Sequence, residues 1–455
     1  MVTWATQSVG GWGRFPIHDC PVSRPDGEEQ VRSALSGSNG RSIIARGLGR
    51  SYGDPAINNQ GGVVLQAQRN RMLAFDKTTG VLTAEAGVSL AEIIDAFLPR
   101  GYFLPTTPGT KFVTLGGAIA ADIHGKNHHI DGSFGSFITS LRLMLANGSI
   151  LTCARDENPD VFAATLGGMG LTGIILSASL RLRRVPSAYY QVAYRRASNL
   201  DAALELFDRT DTEYPYSVAW IDCLGKGSSL GRSVLMLGRD AQPTDLPDRL
   251  RDTPYQIRKQ RTKSVPFDFP AIALNSWSVK AFNTLFYAKH ADTTKIVDYD
   301  TYFYPLDSIH AWNRIYGRRG FIQYQVLLPR ENSREGLIRV LEAISSAGAA
   351  SFLAVLKTSG RVGDGLLSYL FPGHTLALDI PNYGPQLFEL TRKLDRMLLD
   401  AGGRLYLAKD ATMDAETFSA MYPNLNRFKA IKNKVDPDQR FDSVQAQRLG
   451  ITEPR

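Results

Sequence analysis

Three glycine-rich stretches in the first third of the chain have the residue types that bind a phosphate-bearing ligand. Gly47, Gly49 and Gly53 follow a short apolar run, and two further stretches occupy residues 106–110 and 114–125. A strand that enters such a loop presents several backbone N–H groups in one concavity, which suits an anion such as pyrophosphate. A lone Gly-x-Gly would indicate only a tight turn. Three loops in one region instead indicate a large phosphate-bearing cofactor.

Neither familiar nucleotide fingerprint fits these loops. The dinucleotide motif needs Gly-x-Gly-x-x-Gly at the start of a helix, with an acidic residue about 20 residues later. Here the glycines are spaced differently, and Pro55 with Asn58 and Asn59 does not indicate a helix. The chain also has no Gly-Lys-Ser/Thr phosphate loop in these stretches. We therefore expect scattered loops, rather than one helix start, to hold the cofactor.

These stretches resemble the FAD-binding oxidoreductases of the vanillyl-alcohol-oxidase type. The matching segments are spread over nearly the whole chain: 45–54, 116–134, 170–175, 323–325 and 402–410. The run His-Gly-Lys-Asn-His-His at 124–129 is the most specific of them. The resemblance implies an α+β fold with two domains, in which an FAD-binding domain is split by an inserted substrate domain built on an antiparallel sheet.

The domain boundaries are placed from this resemblance and from Pro186-Ser187, which breaks a strand pattern. Residues 1–187 are predicted to form the first part of the FAD-binding domain, and residues 188–403 the substrate-binding domain. Residues 404–455 are predicted to return to the FAD-binding domain.

The resemblance also implies which residues bind FAD. They are Ala45, Arg46, Gly47, Leu48, Gly49, Arg50, Ser51, Tyr52, Gly53, Asp54, Pro55, Gly109, Thr110, Thr114, Leu115, Gly116, Gly117, Ala121, Asp122, Ile123, His124, Ile175 and Tyr406. Related families often attach the flavin covalently to a histidine of the first glycine loop. That loop offers Ser51 and Tyr52 but no histidine, so we expect non-covalent FAD.

The chemistry implied is the oxidation of an alcohol, which needs a base for the hydroxyl proton and a cofactor that carries the electrons. Lys409 is the candidate base, because a lysine in apolar or cationic surroundings can have a pKa low enough to accept a proton. Tyr52 is the second candidate. The predicted substrate-binding residues are Lys126, Gln323, Gln325 and Lys357.

The resemblance is strongest to members that oxidise the ribose 2′-hydroxyl of a polyprenyl-phosphoryl ribose to a keto sugar. That reaction is the first step of epimerisation to the arabinose derivative, and it implies a short-chain dehydrogenase-type keto-reductase as partner. The alternative is an oxygen-using oxidase of free sugars or aldonolactones. This chain has Ala377 where familiar members have a cysteine, which affects substrate fit and thiol-directed inhibition but not hydride transfer.

Composition limits the other function classes. The net charge of +8 permits a nucleic-acid-binding protein, but the chain lacks an aromatic-basic recognition module, so no nucleic-acid partner is expected. Three dispersed cysteines and the histidines of 124–129 lack convincing ligand spacing, so no metal is expected. No signal peptide or membrane span is apparent, and we expect a cytoplasmic protein or one with peripheral membrane contact.

Four local patterns give further expectations. Ser89 and Glu92 predict a capping box before a helix that Gly101 ends. Alternation over 176–182 predicts a strand with one wet face, and 428–435 is predicted to be the last helix. Residues 240–270 combine prolines and charges, including Arg258, Lys259, Arg261 and Lys263, and are predicted to be a mobile segment with few apolar anchors.

Overall fold

The computed structural model describes residues 3–38, 40–258, 262–270, 276–349, 351 and 353–453. Two members of the predicted basic run, Lys259 and Arg261, lie outside the described residues. So does Phe352, with which the sequence predicts a strand over 352–356; the described strand begins at Ala354.

The described N-terminal region forms a four-stranded sheet, a five-stranded sheet and a small two-stranded sheet. The first has the order β1-β2-β4-β3, with β1 and β2 antiparallel and the other neighbours parallel. The second is antiparallel with the order β5-β6-β10-β8-β9. The strands are β1 Ala5–Gly10, β2 Ile17–Ser23, β3 Ile43–Arg46, β4 Gly62–Leu65, β5 Met72–Asp76, β6 Val81–Glu85, β7 Tyr102–Phe103, β8 Ile138–Met144, β9 Ile150–Ala154, β10 Ile174–Arg181 and β11 Arg183–Arg184, the last paired with β7.

Short helices join these strands: α1 Glu28–Ser36, α2 Leu90–Phe97, α3 Leu115–Ala120, α4 His128–Asp131 and α5 Pro159–Thr165. The predicted capping box is confirmed at α2, where Ser89 Oγ accepts from the Glu92 N–H and the Glu92 carboxylate accepts from the Ser89 N–H. After α2 a single 3₁₀ turn follows, and Gly101 ends it in the left-handed region at φ 78°.

The second region is an eight-stranded antiparallel sheet with the order β16-β12-β14-β13-β19-β20-β18-β21. Its strands, with the small parallel pair β15 and β17, are β12 Tyr189–Ala197, β13 Tyr216–Ile221, β14 Ser233–Asp240, β15 Lys263–Ser264, β16 Thr293–Asp298, β17 Ile309–His310, β18 Phe321–Pro329, β19 Ala354–Ser359, β20 Gly373–Pro381 and β21 Arg404–Leu405. This sheet confirms the predicted α+β class with an antiparallel second sheet.

Nine helices are described in this half of the chain: α6 Leu200–Thr210, α7 Asp248–Arg251, α8 Ser276–Lys289, α9 Tyr299–Phe303, α10 Ser333–Ser346, α11 Pro385–Asp400, α12 Ala415–Met421, α13 Leu425–Val435 and α14 Val444–Arg448. Helix α10 contacts both α6 and α11. The three helices lie against the sheet: α6 contacts β12 and β14, α10 contacts β18 and β20, and α11 contacts β21. Their amphipathic faces bury leucines such as Leu341 and Leu394, as expected for helices that cover a sheet.

The C-terminal segment contacts the N-terminal sheets. Asp442 N–H donates to Ile43 O at 3.0 Å, and Val444 N–H donates to Ile57 O at 2.8 Å. Arg448 on α14 donates to the carboxylate of Asp54 at 2.7 and 3.0 Å. The boundaries at residues 187 and 403 stay predictions, and β21 pairs with β18 just beyond the second of them.

The prediction that 428–435 is the last helix was wrong, because α14 follows it. This helix of five residues is mostly polar, so it has no apolar periodicity to detect. It depends on tertiary contacts and on the Ser443 side chain, which accepts from the Ala446 N–H.

Two burial predictions fail in part. In β10, Arg181 is exposed and Ser179 half-buried as predicted, but Ser177 is buried, and helix α3 contacts this strand. In the predicted segment 240–270, Leu246 and Val265 are buried, and Tyr255 and Ile257 pack against the core. The segment therefore has more apolar anchors than its composition indicated; whether it moves stays a prediction.

Within the described part of the chain, no helix is both long and apolar enough to span a bilayer. Cys20, Cys153 and Cys223 are all buried and carry free thiols.

Candidate active site

The first glycine loop follows β3 and offers unused backbone donors. The N–H groups of Leu48, Gly49, Arg50 and Ser51 make no hydrogen bond to any described residue. Gly49 adopts φ 66°, in the left-handed region that favours glycine, and this turns the loop. Four successive free donors at the end of a strand form the concave set that an anionic group such as a pyrophosphate requires.

The side chain of Arg50 adds a cation to this loop. Its guanidinium carbon lies 4.1 Å from the centre of the Trp12 ring, and Phe112 lies on another side at 5.6 Å. Burial lowers the Arg50 pKa, partly opposed by Asp307, and its Nε has no hydrogen-bond partner among the described residues. A half-buried guanidinium with an unused donor suits an anionic ligand.

The second and third stretches present small residues. A Cβ on Gly109 would meet nothing within 4 Å, and a Cβ on Gly117 would meet only Thr114 Oγ1 at 3.1 Å. At Gly116, by contrast, a Cβ would lie 2.9 Å from Ala86 Cβ. Gly116 therefore serves close packing of α3, whereas Gly117 borders open space at the helix start, which a cofactor could fill.

Several predicted cofactor residues use their side chains inside the protein. The Asp54 carboxylate is bound by Arg448, and that of Asp122 accepts from Gly135 N–H at 2.9 Å and Ser368 Oγ at 2.6 Å. Burial is the main cause of the raised pKa of both carboxyls. Their contribution to a ligand site is to hold the loops in place.

Arg46 has a similar bracing function. It ends β3 and donates to Gly10 O at 2.7 Å and Ala56 O at 3.1 Å. Gly53 lies against Asp410 O, since a Cβ there would be 2.0 Å from that oxygen.

The other predicted cofactor residues differ in exposure. Ala45, Gly47, Ser51 and Thr110 are half-buried and Leu48 is exposed, while Pro55, Thr114, Leu115, Ala121, Ile123 and Ile175 are buried. Ile175 lies within β10 opposite Leu143 and belongs to the same buried core as Leu115 and Ile123.

His124 lies next to β18 of the second sheet. Its Nε2 is 3.0 Å from the Gln325 amide nitrogen, and its ring packs against Tyr406 at 5.2 Å and Tyr369 at 5.7 Å. Burial, with Lys357 nearby, lowers the His124 pKa well below its usual value, so the ring is neutral. Because the amide donates to Nε2, the proton resides on Nδ1, which is buried without a described partner and can donate to a ligand.

Lys409 is a half-buried residue whose amine is partly neutral near pH 7. Its Nζ lies 4.0 Å above the centre of the Tyr52 ring. Burial lowers the Lys409 pKa to about 7, with Asp379 raising it and Lys357 lowering it further. A lysine that is half neutral near pH 7 can accept a proton from an alcohol.

A small pocket opens beside this amine. It is lined by Ile322, Gln323, Tyr324, Gln325, Leu405, Tyr406, Lys409, Asp410, Ala411 and Thr412. Both predicted substrate glutamines of β18 therefore lie in one wall with the candidate base.

The second candidate base is less suitable. Tyr52 is buried with its ring edge against Phe321, and its backbone N–H donates to Ala408 O at 3.0 Å. Burial, reinforced by the charge of Asp379, raises the Tyr52 pKa well above its usual value. A phenolate is disfavoured there, so of the two groups Lys409 is the better proton acceptor.

Asp379 is a site residue that the sequence reasoning missed. Its Oδ1 accepts from Gln323 Nε2 at 2.5 Å, and its Oδ2 accepts from Tyr316 Oη at 3.3 Å. Burial raises the Asp379 pKa to about 7, while Gln323 and Lys409 lower it. The available signal was a carboxylate inside the otherwise apolar strand 375–380.

The other two predicted substrate-binding lysines, Lys357 and Lys126, also have lowered pKa values. Burial lowers the Lys357 pKa to about 8, and Lys357 pairs in register with Thr375, whose Oγ1 lies 3.3 Å from the Gln325 amide. Lys126 donates to Tyr302 O and lies 3.9 Å from the Tyr302 ring centre. Burial and Lys357 together lower its pKa to about 7, and its contacts with Tyr302 place it against α9.

The described residues contain no group of three or more His, Cys, Asp or Glu side chains that could hold a metal ion. The histidines of 124–129 instead bind neighbouring strands and turns. For example, His128 Nδ1 lies 3.0 Å from Ser359 Oγ.

Two family models match separate parts of this chain. Residues 21–154 match the family described as "FAD binding domain", and residues 327–449 match "D-arabinono-1,4-lactone oxidase". The first match contains the three glycine-rich stretches. The second contains Lys357, Asp379 and Lys409.

Curated relatives match nearly the full length. The chain is 39% identical over 453 residues to decaprenylphosphoryl-β-D-ribose oxidase of Mycolicibacterium smegmatis, with 98% of each chain covered. It is 24% identical to L-gulono-1,4-lactone dehydrogenase of Mycobacterium tuberculosis, covering 96% of this chain and 98% of that one. It is 26% identical to L-gulonolactone oxidase of Bos taurus, with 94% and 95% covered.

Proposed function

The chain belongs to the FAD-dependent oxidoreductase family of decaprenylphosphoryl-β-D-ribose oxidase, and we propose that it oxidises the 2′-hydroxyl of a polyprenyl-phosphoryl-β-D-ribose to the 2′-keto sugar. The observation that carries the proposal is the buried amine of Lys409, which is partly neutral near pH 7 and lines a pocket with Gln323 and Gln325. This oxidation is the first step of epimerisation to the arabinose derivative.

The chain's own residues fit FAD. The free N–H groups of 48–51 and the guanidinium of Arg50 suit its pyrophosphate, and the open space at Gly117 admits backbone contact. The free Nδ1–H of His124 can donate to the flavin. We propose a non-covalent complex, because the first loop offers only Ser51 and Tyr52 and the His124 ring is already tied to Gln325.

Bound FAD would supply the two-electron chemistry that removes the C2′ hydrogen of the ribose as hydride. Lys409 accepts the hydroxyl proton, so the alcohol loses one hydride and one proton and becomes a ketone. Gln323 and Gln325 can hydrogen-bond the sugar from β18. Lys357, with a pKa of about 8, and Lys126, which is partly charged at a pKa of about 7, supply positive charge that suits a substrate carrying a phosphate.

Substrate reduction of the flavin tests this function. Anaerobic addition of polyprenyl-phosphoryl ribose to the purified yellow protein should bleach the flavin, because the sugar delivers two electrons. The matched control is the 2′-deoxyribose analogue, which has no hydroxyl to oxidise and should leave the absorbance unchanged. Bleaching by both compounds, or by neither, would contradict oxidation at C2′.

The alternative is an oxygen-dependent sugar or aldonolactone oxidase. It is supported by the match of 327–449 to the lactone oxidase family and by the gulonolactone relatives. Those relatives are 24–26% identical, against 39% for the ribose oxidase, so the alternative ranks second. Rapid oxygen consumption with L-gulono-1,4-lactone, without bleaching by the polyprenyl substrate, would reverse this order.

The product implies a partner enzyme. A 2′-keto sugar has lost the stereocentre of the alcohol, and epimerisation is complete only when hydride is returned to the opposite face. We propose that a short-chain dehydrogenase-type keto-reductase with a nicotinamide cofactor performs this second step.

Helix α8 supports a peripheral membrane contact, which we propose for this lipid-linked substrate. The helix is anchored to the protein by Asn283, which donates to Asp222 Oδ1 at 2.7 Å, and by Phe286 against Trp220. Trp277 and Leu285 point outward with 83% and 71% of their surface exposed. Ala281 and Ala288 continue this exposed stripe, and the exposed Lys280 and Lys289 flank it. Apolar residues flanked by lysines suit an anionic lipid surface.

Co-sedimentation with vesicles tests the contact. We expect the protein to sediment with phosphatidylcholine vesicles that contain phosphatidylglycerol. The double variant Trp277→Ser, Leu285→Ser should bind several-fold more weakly, because it loses the outward apolar area. The variant Val362→Ser, which changes an exposed valine elsewhere, is the control. Equal sedimentation of the wild type and both variants would exclude α8 as the membrane contact. If the wild-type protein forms dimers in the absence of vesicles, a second copy of the chain would instead be favoured as the partner of α8.

A further inference from the structure

We propose that Asp379 is a positioning residue that holds the Lys409 amine toward the substrate hydroxyl, while Gln323 and Tyr316 hold the Asp379 carboxylate in turn. The role of Lys409 as base rests on the proposed function above. The arrangement of the four side chains does not, since it is a property of the folded chain.

Both oxygens of the Asp379 carboxylate are fixed. Asp379 on β20 pairs directly with Gln323 on β18, and the Gln323 amide donates to Oδ1 at 2.5 Å. Tyr316, from the 3₁₀ turn 312–316, donates to Oδ2 at 3.3 Å. The residue has no exposed surface, and its backbone N–H donates to Ser351 Oγ at 3.2 Å. A carboxylate held on both oxygens is a rigid partner for a flexible lysine side chain.

Lys409 reaches this carboxylate from a separate segment. The backbone next to it is fixed, since Ala408 O accepts from Tyr52 N–H, and its amine lies above the Tyr52 ring. Lys409 lines the pocket together with Gln323, the residue that binds the Asp379 carboxylate. In this cluster Asp379 raises the pKa of Lys409, and Lys409 lowers that of Asp379. This attraction favours the charged form of both groups.

The other charged or titratable groups around Lys409 cannot replace Asp379. Lys357 on β19 is a cation, and it opposes protonation of Lys409. His124 is neutral and Tyr52 stays a phenol, because burial shifts the pKa of each away from its charged form. Asp410, on the same segment as Lys409, is bound by Arg448 at 2.9 Å. Among the described residues, Asp379 is thus the acidic group that acts on Lys409.

The variant Asp379→Asn tests this inference, since asparagine keeps the shape and can still accept from Gln323. The readout without substrate is the pH dependence of acetylation of Lys409 by acetic anhydride, followed by peptide mass spectrometry. The midpoint should move down by roughly one pH unit or more, because the negative charge that raises the Lys409 pKa is lost. Flavin reduction should slow by up to roughly 10²-fold, the scale of a misplaced group. An unchanged midpoint would overturn the inference.

Two further variants separate positioning from a general structural effect. Tyr316→Phe removes one bond to Asp379 but keeps its charge, so it should slow flavin reduction with a smaller change of the labelling midpoint than Asp379→Asn. In the double variant Lys409→Ala, Asp379→Asn, flavin reduction should be no slower than in Lys409→Ala alone, because the amine that Asp379 positions is already absent. If Asp379→Asn slows flavin reduction by the same factor in Lys409→Ala as in the wild type, the inference is overturned. Because labelling needs no substrate, a wrong substrate proposal would leave this result readable.

Discussion

Replacing Lys409 with alanine is expected to slow flavin reduction by ~10²–10⁴-fold, the usual loss when a general base is removed. The variant should keep its fold and its FAD, because the residues that suit FAD lie mainly in the loops of the N-terminal region. Lys409→Arg should be comparably slow, since a guanidinium stays protonated and cannot accept the hydroxyl proton. Stopped-flow absorbance after addition of polyprenyl-phosphoryl ribose measures both rates. Lys434→Ala, an exposed lysine of α13, is the control and should reduce at the wild-type rate.

The pH dependence of the wild-type protein gives the same prediction a second readout. Below pH 7 the Lys409 amine is protonated and cannot act as base, so the reduction rate should rise with pH through about 7 and then level off. The rise should be absent in Lys409→Ala. Near-normal rates in both Lys409 variants would remove this residue from the mechanism and leave Tyr52 as the next candidate, despite its raised pKa.

Replacing Gly117 with valine is expected to abolish FAD binding while the protein still folds. A Cβ at this position meets only Thr114 Oγ1 at 3.1 Å, so the protein itself leaves room for part of a side chain. That room is the space into which we place the cofactor, and a branched side chain would fill it. The measurement is flavin content per chain, determined from the yellow colour released by acid precipitation, together with the circular dichroism of the protein.

The matched control is Gly27→Val. Gly27 precedes α1, has extended backbone with φ −140°, and a Cβ there meets nothing within 4 Å. This variant should keep full flavin occupancy. If Gly117→Val also stays fully yellow, the third glycine stretch does not contact the cofactor. If wild-type flavin remains in the acid pellet, the cofactor is covalently bound.

Local sequence patterns predicted local geometry, because such geometry depends on near neighbours; the binding of cofactor by these loops stays a prediction. Gly49 allows the left-handed turn by itself, and the unused N–H groups beside it belong to consecutive residues. The capping box at Ser89 and Glu92 is likewise complete within four residues. Matches to known proteins then confirmed the FAD-binding class and the family.

Burial was harder to predict, because it depends on which elements pack on a strand rather than on its own alternation. Ser177 is buried although the alternation places it on the polar face, and helix α3 contacts its strand. Helix α14 forms with no apolar repeat, since Arg448 reaches the carboxylates of Asp54 and Asp410, which are remote in sequence.

For the active site, the sequence by itself determined which residue types are available: glycine loops for an anion, and a lysine after the apolar run 405–408 as a possible base. It could not determine that Asp379, Gln323 and Lys409 form one group. Strand pairing joins Asp379 to Gln323, and the returning chain brings Lys409 to the pocket that Gln323 lines. It also could not determine protonation. The Lys409 pKa falls to about 7 because the folded protein removes water from the amine, and that desolvation exists only in the tertiary structure.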